Sequence, residues 1–155
     1  MSVESFVKLG TGEVHLNPSP IRPGWILEGN PIARNKLLSS SADGTASTLI
    51  WDCTAGRFNW YYDVDETIYV IEGGVIVRDA AGSARRLCAG DAIFFPAGAH
   101  AEWHVENYIR KIAFCRVPLS RPILYAKRGY RFLKRVLRRN HSGGGASAAA
   151  MFQGS

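Results

Sequence analysis

Between residues 30 and 118 the chain alternates apolar and polar positions in short runs rich in Val, Ile, Thr, Tyr, Phe and Trp. The runs are KLLSS, STLIWDC, RFNWYYD, ETIYVIE, GVIVRDA, ARRL, AIFFP, AEWHV and RKIAFCRV, separated by glycine-bearing turns. A period of two with such punctuation predicts eight or nine short strands, and no helical run interrupts them. SADGT and RDAAGSARR read as hairpin turns, the second with Gly82 free to take a positive φ. The expected fold is all-β, an antiparallel double-sheet barrel over residues 30–120.

The flanks follow other patterns. Residues 1–29 carry Pro18, Pro20 and Pro23, which break hydrogen-bonded structure and predict an extended N-terminal arm. After Pro118, residues 121–141 place Phe132, Leu133, Val136 and Leu137 on one helical face amid basic residues. A basic amphipathic C-terminal helix is expected from about Arg128 to Asn140. Residues 142–155 are rich in Gly, Ala and Ser, carry no charge and read as a disordered tail or an artificial linker.

Charge changes the picture only when divided along the chain. Of the net +6, the first 120 residues contribute 11 basic and 13 acidic groups, or −2. The attraction to polyanions therefore resides in the tail, at Lys127, Arg128, Arg131, Lys134, Arg135, Arg138 and Arg139. Those residues point to docking on the barrel, to an anionic membrane surface through residues 125–141, or to nucleic-acid phosphates. No base-reading motif accompanies them, so sequence-specific nucleic-acid binding is not expected. The opening residues lack the basic start and apolar run of a signal peptide, which leads to the expectation of a soluble cytoplasmic protein, at most peripheral to a membrane. Cys53, Cys88 and Cys115 are widely spaced, form no CxxC pair and read as small hydrophobes.

Candidate chemistry concentrates in two stretches. In GRFNWYYDVDETIYVIEGG, Trp60 and Tyr62 share one face of a strand, and Glu66 returns to that face beyond the DVD corner. In GDAIFFPAGAHAEWHV, Ala101 and Trp103 share a face, opposite His100, Glu102 and His104. The spacing of Glu66 to Gly73, and GDAIFFPAG from Gly90 to Gly98, resemble the two motifs of the cupin superfamily. The usual metal-binding histidines of that pattern would fall on Trp60, Tyr62 and Ala101. WYYDVDETIYVIEG together with EWHV and RKI looks like the small, single-domain cupins of the ureidoglycine aminohydrolase-like branch. That resemblance implies a cupin jelly roll, a homodimer and aromatic side chains at the metal positions.

Three functions follow as expectations. In the first, Trp60, Tyr62, Ala101 and Trp103 wall a metal-free pocket around Glu66 that binds a small nitrogen-containing metabolite, with Glu66 as the proton-handling group if the protein is an enzyme. In the second, Glu66 and a displaced His100 hold manganese, iron or zinc in a ureidoglycine aminohydrolase-like enzyme. In the third, the barrel is a rigid body acting through its basic helix at a membrane or scaffold. Asp65 is expected to accept backbone N–H bonds in a turn, and Arg110 and Lys111 to be solvated.

Overall fold

The computed structural model describes residues 8–12 and 14–119, together with Ala126, Gly129–Arg131 and Lys134. Two compact units divide at Pro118 and Leu119. In the second, Ala126, Gly129, Tyr130, Arg131 and Lys134 are helical, and the Lys134 ammonium lies 6.0 Å from the Tyr130 ring centre. The expected apolar face at Phe132, Leu133, Val136 and Leu137, and the basic residues Lys127, Arg128, Arg135, Arg138 and Arg139, lie outside the described residues, as does the tail.

The first unit is built from eight strands: β1 (Asn17–Pro18), β2 (Ile26–Gly29), β3 (Ala33–Ser40), β4 (Ala46–Tyr61), β5 (Asp65–Asp79), β6 (Ala84–Cys88), β7 (Ala92–Phe95) and β8 (His100–Arg116). All pairings are antiparallel, in the order β1-β3-β4-β8-β5-β6, with β2 on β4 and β7 on β5. The sequence pattern divides β4, β5 and β8 into two strands each, whereas each is one long strand broken by a register shift. A bulge kinks a strand and sharpens its twist without ending it. Gly56 and Gly73 sit at these shifts, so residues that read as turn glycines carry the strands across a bend instead.

The bends fold the long strands so that their two halves face each other. One half contains β3, the first part of β4, the last part of β8, the first part of β5, and β7. The other contains β2, the end of β4, the start of β8, the end of β5, and β6. Contacts cross the gap: the Trp51 and Trp103 rings lie 5.9 Å apart and Phe95 and Trp103 6.1 Å apart. The expected closed barrel is thus corrected to an open double layer, because among the described residues no hydrogen-bonded ladder joins β3 to β7 or β2 to β6.

Turn chemistry matches the sequence. Asp79 accepts the Ala81 and Ser83 amides, and Gly82 takes φ 87°, closing the β5–β6 hairpin. Among the described residues no helix is long and apolar enough to cross a membrane.

Candidate functional site: a buried Glu–Lys pair below an aromatic cavity

The inner faces of β4, β5 and β8 set the site. Lys111 stands in register with Trp51 on one side and Val70 on the other, while Glu66 lies opposite Cys115. Ala113 occupies the same face between Lys111 and Cys115, and this small side chain leaves the long lysine room to run along the sheet. Its ammonium reaches Glu66 Oε1 at 2.5 Å, with the two side chains only 5% and 10% exposed. The same ammonium lies 5.1 Å from the Trp51 ring centre and 5.0 Å from that of Trp103. Electron-rich ring faces and one carboxylate therefore surround a cation that would otherwise be costly to bury.

The expectation that Lys111 is solvated is overturned, and it is the site residue that sequence reasoning missed. Arg110 is only partly exposed, and its guanidinium donates to the Thr11 and Gly12 carbonyls of the arm.

The aromatic residues divide into two sets. Trp103 is buried, stacks on Phe58 and donates its indole N–H to Tyr62 Oη at 3.0 Å, while Tyr62 stacks on Phe95 at 4.3 Å. Burial and the nearby Glu66 charge push the Tyr62 phenol far above its ordinary range, so it stays protonated. Ala101 is buried beside Trp60 in the β4–β8 ladder. Ala101 and Trp103 belong to the buried core and are not among the residues lining the cavity against the arm. Trp60, Tyr62 and Glu66 do line that cavity, of about 400 Å³, lined on the other side by Ile21, Arg22 and Trp25 of the arm. Trp25 meets Trp60 edge-on at 5.6 Å, and the Arg22 guanidinium covers Trp25 at 4.8 Å. The arm, read as a flank, thus supplies a wall of the site.

Among the described residues Glu66 uses only one of its two oxygens. Oε1 accepts from Lys111, and among the described residues nothing donates to Oε2.

A metal ion does not fit the residues named for it. His100 stacks on Tyr61 at 4.6 Å and bonds through Nε2 with Asn59 at 3.1 Å, on the face away from Glu66. Among the described residues no group of three or more His, Cys, Asp or Glu is placed to hold a metal. The carboxylate that would be a ligand is already paired with an ammonium.

Asp65 behaves as its position predicts. Its Oδ1 accepts the Ala97 N–H at 3.0 Å and its Oδ2 pairs with Arg116, which together hold the carboxyl below its usual range. A depressed value means that the stabilisation is full above the ordinary carboxylate range and is lost as pH falls through the lowered one. Asp65→Asn is therefore expected to lower Tm at neutral pH, with the difference from wild type shrinking in acid. Thermal unfolding of both proteins across the acid range checks this.

Two of the thiols, Cys53 and Cys115, are held protonated by burial. Burial pushes Cys53 up to about 12 and also raises Cys115, while Cys88 is exposed. Iodoacetamide is expected to modify Cys88 first and to leave Cys53 untouched until unfolding, as peptide mass mapping would read directly.

Residues 40–113 match the family described as the EutQ-like cupin domain. A protein of unknown function from Pseudomonas syringae pv. tomato superposes with a TM-score of 0.62 at 27% identity, covering 66% of this chain and 45% of that one. The chain thus spans less than half of that protein's length. EutQ from Clostridium difficile gives a TM-score of 0.54 at 20% identity, over 72% of this chain and 81% of that one. A putative ethanolamine utilization protein Q from Salmonella typhimurium gives 0.51 at 20%, over 70% and 98%. No curated protein matches the sequence. The open antiparallel double layer and the matched segment lead to one conclusion: residues 40–113 are similar to the EutQ-like cupin domain, and the chain shares its fold with solved EutQ proteins.

Proposed function

We propose that the domain binds a small nitrogen-containing metabolite in the cavity between the arm and the sheet, with Glu66 as the receiving group and no metal ion. The observation that carries this reading is the carboxylate at the cavity wall, whose Oε1 is held by Lys111 and whose Oε2 has no donor among the described residues. A ligand N–H completes that oxygen, and Trp25, Trp60 and Tyr62 supply the apolar walls that small-molecule sites use. A cationic amine gains further from the ring faces. The sequence resemblance to ureidoglycine aminohydrolase-like cupins supports amines and ureido compounds as the first compounds to try.

Lys111 alters the division of labour within the aromatic set. The faces of Trp51 and Trp103 serve the protein's own ammonium, leaving Trp25 and Trp60 for the ligand. If the bound molecule reacts, the step this geometry favours is proton transfer to Glu66 Oε2, the oxygen not held by Lys111.

A thermal-shift screen of small amines and ureido compounds tests the proposal, followed by calorimetry of any binder against wild type and Glu66→Gln. Losing one charge-assisted hydrogen bond is expected to weaken binding by about tenfold or more. Equal affinity for both proteins would remove Glu66 from the site.

A further inference from the structure

Resting on this cavity, we infer that the site has a second, inner subsite for an oxygen acceptor, a carbonyl or carboxylate oxygen, at the indole N–H of Trp51 and the Lys111 ammonium. Trp51 is 4% exposed, and its Nε1 is a buried donor without an acceptor among the described residues. Buried donors in folded proteins are nearly always satisfied, so an orphan of this kind directly behind the Trp60 and Glu66 wall of a ligand-sized cavity marks where an acceptor belongs. Its ring lies against Trp60, which lines the cavity, at 6.0 Å, and against the Lys111 ammonium.

The balance of donors and acceptors gives the chemistry. An ammonium carries three donors, and among the described residues Lys111 spends one, on Glu66. Tyr62 accepts from Trp103 and donates to no described residue. Against these donors, the interior around Glu66 offers that one carboxylate as its charged acceptor. An oxygen acceptor at the inner end corrects the imbalance, whereas a second ammonium there would meet Lys111 with like charge. The complementary ligand therefore presents N–H to Glu66 Oε2 and an oxygen to Lys111 and Trp51.

The four tryptophans make the test selective. Trp25 and Trp60 line the cavity, Trp51 holds the orphan N–H, and the Trp103 N–H is already engaged by Tyr62. With the indole resonances of the full chain assigned by single Trp→Phe variants, ¹H–¹⁵N spectra would be recorded during titration with trifluoroacetate and, separately, trifluoroacetamide. The expected result is a downfield shift of the Trp51 indole proton with at least one probe, larger than that of Trp103. The probe that shifts it more tells carboxylate from carbonyl. Trp51→Phe, which removes the N–H and keeps an aromatic ring, is expected to weaken that probe roughly tenfold; unchanged affinity overturns the subsite. Movement of Trp25 and Trp60 with Trp51 still overturns the subsite and leaves the cavity reading standing. If none of the three moves with these probes or with amines, both fall.

Discussion

Lys111→Met is expected to destabilise the fold by about 3–5 kcal/mol, because it leaves Glu66 buried without its counter-charge. Glu66→Leu should cost a similar amount for the opposite reason, since the ammonium is then left among Trp51 and Trp103 alone. The double variant Lys111→Met with Glu66→Leu is expected to recover most of either loss, because replacing a buried ion pair with apolar groups is often neutral or stabilising. Urea unfolding of the four proteins completes the cycle. Additive losses would mean that the two charges do not compensate each other inside the fold.

Gly73→Ala is expected to cost roughly 4 kcal/mol, combining left-handed backbone strain with overpacking. Gly73 takes φ 71°, and a Cβ there would fall on the Tyr108 carbonyl oxygen of the neighbouring strand. Backbone cannot move aside as a side-chain tip can, and this glycine sits where β5 shifts register against β8 to cross between the two halves. Gly90 is the control: its φ is 97° but nothing lies within 4 Å of a Cβ, so Gly90→Ala carries only the backbone term, about 1–3 kcal/mol. Comparing the two Tm values separates crowding from strain, and equal losses would remove the crowding argument.

The strand pattern, the hairpin at Asp79–Ser83 and the role of Asp65 were legible because each depends on local chemistry: alternation, a glycine with positive φ, a carboxylate beside a turn. Strand length was not. A glycine in a β pattern signals either a turn or a bulge, and only the partner strand decides, as Gly56 and Gly73 illustrate. Glu66 and its aromatic neighbours were visible as a set, but which of them face a ligand depends on the arm, which brings Trp25 against Trp60 from 35 residues earlier. That pairing leaves no trace in local sequence.

Lys111 is the instructive omission. A lysine in RKIAFCR reads as solvated, since lysine is seldom buried without a partner. Yet Ala101, Trp103, Val105, Ile109, Lys111 and Ala113 are all buried odd-numbered positions of β8. Carrying that alternation through the exposed Glu106 and Asn107 places Lys111 inside, where it needs an acid, and Glu66 is the acid on the facing strand.

The central claim is that the cation paired with Glu66 is the protein's own ammonium. The most direct measurement is elemental analysis of untagged protein, wild type beside Glu66→Gln, after incubation with manganese, iron and zinc and removal of free ions. The account predicts no stoichiometric metal in either protein. Stoichiometric metal in wild type that disappears in Glu66→Gln would contradict it, placing an ion where Lys111 now stands.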